Sequence, residues 1–242
     1  MTNEKLYKIL KEHKLWFGQE GTDIIGKQAD LSMADLEGVN LSCADLYCAI
    51  LKGANLKGAK LLCIILAEAN LSKANLEEAN LVFSDLRGAK LKGAKLKGAN
   101  LRGANLSYAI LEDANLQDAN LEGVNLKGSY LAGANLKGAN LKDVKLLDAD
   151  LAGVDLSGAD LSGADLKGAI MFRANLEGAN LENTDLDFAD LSNADLRGTK
   201  LQGAKVEHTI FESVKVLRKD LPWLFLNPHF SEFYYLLTVL DA

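Results

Sequence analysis

Three histidines, three cysteines and thirty-three acidic residues are the chain's stock of groups able to move protons, attack a substrate or hold a metal. The histidines, His13, His208 and His229, are far apart in sequence and share no ligand spacing. Ser157 and Ser162 recur at solvent-facing positions with no base beside them, and no carboxylate is singled out as a general acid or base. The phosphate-cradling pattern GxxxxGK[ST] does not occur. These observations predict neither an enzyme nor a metal or cofactor site. Cys43 and Cys63 are twenty residues apart, which makes a disulfide or soft-metal pair conceivable. The odd count, with Cys48 left over, and a cytosolic context favour reduced surface thiols.

What positions these groups is a repeat. Taking leucine as the centre, centres recur every five residues from Leu31 to Leu201, and Met171 is the single exception. Val206, Phe211 and Val216 extend the register with weaker residues. Alanine or another small or aliphatic residue stands two positions before each centre. Asn, Asp or Lys mostly stands one before. Eighteen of the twenty-one glycines fall two positions after a centre. A glycine fixed there predicts a positive φ, the third residue of a type II turn. Where Asp, Asn, Lys or Cys replaces it, a type I turn is the expectation.

A helix is excluded because a five-residue step winds the leucines around its axis instead of forming one stripe. A flat strand is excluded because odd spacing sends successive leucines to opposite faces. A closed coil that turns a corner at every unit points each leucine at one axis.

Units such as Ala99-Asn100-Leu101-Arg102-Gly103, of the form A(D/N)LxG, resemble those of the pentapeptide-repeat family. The resemblance implies an all-β solenoid, a right-handed quadrilateral β-helix with four units per coil. Residues 29–216 then make about nine coils and a rod about 45 Å long, at about 4.8 Å per coil. Each buried leucine is worth roughly 1.5–3 kcal/mol and must offset the entropy of ordering its five-residue unit, so stacking and covered ends stabilise the rod.

The ends are expected to be helical caps. In residues 1–28, Asn3 is a candidate N-cap for a helix running to about Lys14, with Leu6, Ile9 and Leu10 on one face. In residues 217–242, Asn227-Pro228 reads as a helix start. A helix from Pro228 to Leu240 groups Phe230, Phe233, Tyr234, Leu237 and Leu240. Trp223, Leu224 and Phe225 precede it as a candidate second surface. Such a segment either caps the last coil or joins two copies into a homodimer.

A net charge of −6 argues against direct nucleic-acid binding. No apolar run is long enough to span a membrane, and no signal-peptide core opens the chain, so a cytoplasmic protein is expected. Basic residues Arg87, Lys90, Lys92, Lys95, Lys97 and Arg102 span one coil and should form a ring neutralised by Glu77, Glu112 and Glu122 on adjacent coils. Asp150, Asp155, Asp160, Asp165, Asp185, Asp190 and Asp195 form a candidate acidic wall. Ile50, Ile110, Tyr130, Ile170 and Ile210, with Phe172 adjoining, form a candidate apolar stripe. Leu62, Ile65, Val82 and Phe83 cluster on neighbouring sides near the first coils. The leading expectation is a non-catalytic scaffold that presents its surface to a protein partner of unknown identity.

The family resemblance also implies an alternative. Some members mimic duplex DNA toward DNA gyrase, and the acidic segment would suit such a modulator of a type II topoisomerase. Three features depart from those members: leucine instead of phenylalanine at the centres, no inserted loop, and lysines such as Lys90, Lys95 and Lys145 interrupting the Asp/Asn column.

Overall fold

The computed structural model describes residues 1–16 and 26–217 and the backbone of residues 238–240. Its core is a right-handed quadrilateral β-helix. Residues twenty apart pair in parallel without interruption, from Asp30 with Ile50 to Asp195 with Lys215. One coil is therefore twenty residues, or four units. Centres from Leu31 to Val216 are buried, and so are nearly all the small residues two positions before them. The axis is filled by these side chains.

Backbone hydrogen bonds dictate the unit. The centre's N–H donates to the carbonyl nineteen residues ahead, as from Leu91 to Ile110 at 2.7 Å. The N–H before it donates twenty-one residues back, as from Lys90 to Ala69 at 2.9 Å. The corner N–H again reaches nineteen ahead, as from Gly93 to Glu112 at 2.9 Å. The following alanine closes the turn onto the centre's carbonyl, as from Ala94 to Leu91 at 2.9 Å. Buried backbone groups must be paired, and this ladder pairs them coil to coil.

The ladder overrides residue preference at the corners. Every corner from Met33 to Ser213 has a positive φ, including nineteen that are not glycine, with φ between 53° and 61°. The type I turns expected at the substituted corners are not there. A type I turn would redirect the corner N–H that the next coil's carbonyl needs, so the left-handed conformation is kept despite its steric cost. Large corner side chains lean over the next coil. A β-carbon added to Gly103 would lie 2.5 Å from Phe83, and one added to Gly128 would lie 2.7 Å from Tyr108. Phe83 and Tyr108 are thus accommodated by a glycine twenty residues later.

Polar residues in the small-residue column are mostly satisfied. Ser129 and Thr184 donate their hydroxyls to Leu126 and Leu181 carbonyls at 2.6 and 2.8 Å. Ser84 Oγ is buried without a hydrogen-bond partner among the described residues.

The N-terminal cap is helix α1, Asn3–Trp16. Its N-cap is Thr2, not Asn3: Thr2 Oγ1 accepts from the Lys5 N–H at 3.3 Å, and Asn3 already lies in the first helical turn. Leu6, Ile9 and Leu10 pack on the core as expected. Buried His13 accepts the Ala29 N–H through Nδ1 at 3.0 Å, which ties the helix to the start of the first coil. At the other end, strand β1 (Lys215–Leu217) pairs in parallel with β2 (Thr238–Leu240), in register Val216 with Val239. The last three residues of the expected Pro228–Leu240 helix are therefore strand. The physical reason is the open ladder edge of the final coil, which an extended segment can pair and a helix cannot. Trp223, Leu224, Phe225, Phe230, Phe233, Tyr234 and Leu237 lie outside the described residues.

Burial holds the His13 pKa below its ordinary value of 6.5, against the opposing pull of Asp45. Folded His13 stays neutral while the unfolded chain takes up a proton as pH drops past that value. The cap is therefore fully stable above it and loses stability as pH falls toward the folded pKa. Amide exchange in α1 and at Ala29, corrected for intrinsic rate, should accelerate between pH 7.5 and 5 and do so less in His13→Gln. Exchange without that pH dependence would contradict the tie.

Candidate functional site

With backbone groups committed to the ladder, function falls to the side chains on the rod's four sides. Four of the five N–H groups in a unit are used by the backbone. The fifth, one residue after the centre, is met wherever an Asn or Asp stands one residue before the centre. Ser32 donates to Asp30 Oδ1 at 3.0 Å, Lys137 to Asn135 at 3.0 Å, and Ser192 to Asp190 at 2.9 Å. This local turn, in which Asn and Asp serve equally as acceptors, explains the Asx column. Asn also links coils: Asn75 Nδ2 donates to Asn55 Oδ1 at 3.2 Å, and Asn140 to Asn120 at 3.1 Å.

The pairing register assigns each pre-centre residue to a side. Side 1 carries residues 30, 50, 70 and onward, side 2 starts at 35, side 3 at 40 and side 4 at 45. The acidic wall is not a wall. Asp150 and Asp190 lie on side 1, Asp155 and Asp195 on side 2, Asp160 on side 3, and Asp165 and Asp185 on side 4. Acids five residues apart are on different sides because each unit turns a corner. All seven also accept the fifth N–H of their own unit.

Cations meet several of these acids. Asp160 faces Lys142 at 3.3 Å, Asp185 faces Lys205 at 3.2 Å, and Asp195 faces Arg197 at 2.8 Å. Burial raises the Asp160 and Asp195 carboxyls, but hydrogen bonds from Ser162 and Arg197, aided by nearby cations, hold both below the ordinary value. The basic residues form the expected ring, with Lys92–Glu112 at 2.6 Å and Arg102–Glu122 at 3.5 Å. Arg87 turns to Asp85 at 2.6 Å, and Lys97–Glu77 is not among the ion pairs of the described residues.

The apolar stripe does share one side. Ile50, Ile110, Tyr130, Ile170 and Ile210 all lie on side 1. Along its C-terminal half the column reads Ile110, Tyr130, Asp150, Ile170, Asp190, Ile210. Tyr130, Ile170 and Ile210 are about half exposed, at 50%, 47% and 50%. Asp150 and Asp190 have no ion-pair partner among the described residues, unlike the acids at Asp160, Asp185 and Asp195.

The corners beside side 1 add aromatic surface that the sequence reading passed over. Tyr108 and Phe188 are corner residues, 59% and 55% exposed. Phe188 stacks on His208 at 4.5 Å, with the Lys167 ammonium 5.5 Å from its ring. His208 Nδ1 and Lys167 both contact Asp187, whose carboxyl the histidine hydrogen bond holds below its ordinary value. Arg173 lies 4.8 Å from the Phe172 ring at the opposite corner. The missed signal was a bulky residue at a glycine position. A smaller apolar cluster, Leu62, Ile65, Val82 and Phe83, lies on side 4 and its corner with side 3. Exposed Cys43 and Cys63 stand in the same corner column. Among the described residues, no three metal-ligating side chains converge and no helix is long and apolar enough to cross a membrane.

The family model described as pentapeptide repeats matches in eight copies, over residues 27–58, 64–103, 84–123, 109–148, 134–171 and 174–212. Similar solved structures include HetL, a pentapeptide repeat protein involved in heterocyst differentiation regulation from the cyanobacterium Nostoc sp. strain PCC 7120. It is 33% identical over 75% of this chain and 89% of that one, with a TM-score of 0.43. The protein alr5209 from Nostoc PCC 7120 is 39% identical over 37% of this chain and 69% of that one, with a TM-score of 0.31. QnrB1, a plasmid-mediated fluoroquinolone resistance protein, is 17% identical over 84% of this chain and 95% of that one, with a TM-score of 0.46. No curated protein sequence matches the chain. The uninterrupted twenty-residue register and the family match over most of the rod agree: the chain belongs to the pentapeptide-repeat family.

Proposed function

We propose that the protein is a non-catalytic scaffold that holds a protein partner against side 1 of its rod. One observation carries this reading: half-exposed Tyr130, Ile170 and Ile210 alternate with Asp150 and Asp190, two carboxylates without cation partners among the described residues. Lone exposed apolar residues need no explanation, but a recurring column of them flanked by Tyr108, Phe172 and Phe188 is a surface of the kind that docks proteins. The unpaired acids select a partner with basic and apolar groups. Residues 217–242 serve best as an end cap, since β2 returns to pair with β1 of its own chain. Homodimerisation through that segment is the competing role.

A second reading, a DNA-mimicking modulator of DNA gyrase or a related topoisomerase, draws support from carboxylates that circle all four sides, as phosphates circle a duplex. The cations paired with Asp160, Asp185 and Asp195 weigh against it.

Affinity capture with the wild-type protein and a Tyr130→Ser/Ile170→Ser/Ile210→Ser variant tests the first reading, with folding checked by circular dichroism. Proteins held by the wild type should be lost by the variant and kept by a side 3 control, Asn100→Ser/Asn120→Ser. Identical retention by all three would sink the proposal. Asp150→Asn/Asp190→Asn preserves the Oδ1 acceptors and removes only charge, so it should weaken partner binding about tenfold without altering the fold. For the second reading, gyrase supercoiling should be inhibited by the wild type and relieved in Asp155→Asn/Asp160→Asn/Asp165→Asn. Full supercoiling in the presence of excess wild-type protein removes it.

A further inference from the structure

The corner columns stack side chains in one direction, and two cysteines are neighbours in one of them. At corners where the next coil has glycine, the corner side chain reaches toward the next corner's β-carbon position. The γ-carbon comes within 3.7 Å for Lys73 over Gly93, 3.8 Å for Glu78 over Gly98, 3.6 Å for Asp143 over Gly163 and 3.3 Å for Asn183 over Gly203. Cys43 and Cys63 are consecutive members of one such column, at φ 59° and 53°. Their neighbouring coils are held by the ladder bonds Cys43 N–H to Leu62 O at 2.8 Å and Cys63 N–H to Val82 O at 3.0 Å. Extended to this column, the repeated geometry directs Cys43 Sγ toward the Cys63 β-carbon. Adjacent coils separate their Cα atoms by about 4.8 Å, inside the window of about 4.4–6.8 Å that a disulfide spans. Both residues are exposed, so their thiols can rotate and be reached. Phe83, next in the column, leans away over Gly103 and leaves the Cys63 sulfur room. Cys48 stands in another corner column, where its successor is Glu68.

We propose that Cys43 and Cys63 are a dithiol that closes into an intramolecular disulfide between the first and second coils by exchange with a low-molecular-mass disulfide. One thiolate attacks the small disulfide, forming a mixed disulfide and releasing one small thiolate, which takes up a proton. The second cysteine thiolate attacks the protein sulfur of that mixed disulfide, forming the Cys43–Cys63 bond and expelling the second small thiol. Two electrons pass from the protein pair to the small disulfide, which leaves as two thiols. The bridge clasps one full coil beside the N-terminal cap, where Ala34, Val39 and Ala44 are partly buried.

The test uses the full chain carrying Cys48→Ser, oxidised with glutathione disulfide and digested with trypsin under non-reducing conditions. Serine is tolerated at a corner, since Ser213 holds φ 57°. Cys43 falls on the peptide 28–52 and Cys63 on the peptide 61–73. The two should appear as one cross-linked species from monomeric protein. That species should vanish on reduction and never form in Cys48→Ser/Cys63→Ser. The wild type should give the same link with Cys48 remaining alkylatable. Stable glutathione adducts on both cysteines, bridges between two chains, or a link through Cys48 would each overturn the proposal.

Discussion

Everything in this molecule follows from one constraint: backbone N–H groups are satisfied across coils, nineteen residues ahead and twenty-one behind. That fixes the coil at twenty residues and the corner at a left-handed φ, whichever side chain stands there. Phe83, Tyr108, Arg173 and Phe188 adopt it alongside eighteen glycines. A left-handed residue costs roughly 1–2 kcal/mol in isolation. The ladder tolerates nineteen of them because abandoning one corner would orphan buried backbone groups on two coils at once. Glycine is frequent at corners for two reasons, its free φ and the room it gives a bulky neighbour one coil earlier.

The same constraint separates structure from function. Leucine, the small residue before it and the Asx acceptor all serve the coil, so their abundance carries no functional information. An aspartate before a centre first satisfies its own turn, as Asp155 does for Ser157 at 3.0 Å. Functional information survives in departures from the pattern. Isoleucine or tyrosine in the Asx column gives up the turn acceptor, and aromatic residues at corners accept the strained φ. Most of them gather on side 1 and its flanking corners, with a smaller set, Ile65 and Phe83, on side 4 and its corner.

The repeat, the closed coil and the leucine axis were legible in the sequence because strict spacing leaves no alternative geometry. Four sides and a right hand came from family resemblance, since the period alone is silent on how many corners close a coil. The Ile50–Ile210 stripe was legible because its members are multiples of twenty apart. The acidic wall dissolved for the same reason: Asp150, Asp155, Asp160 and Asp165 are neighbours in sequence and stand on four different sides. Type I corners failed because local preference yielded to the ladder. Thr2 replaced Asn3 as N-cap within ordinary boundary error. The strand at Thr238–Leu240 escaped notice because an open ladder edge leaves no mark in the sequence that pairs with it.

If the ladder makes every unit an equivalent module, register matters only in multiples of five. The direct measurement is a thermal melt followed by circular dichroism on three deletions: residues 134–138, one unit; residues 119–138, one coil; and residues 134–137, one residue short of a unit. The first two should keep the wild-type spectrum and a cooperative melt, the one-unit deletion merely rotating everything beyond it by one side. The four-residue deletion should lose both. A one-unit deletion as disruptive as the four-residue deletion would contradict the modular ladder.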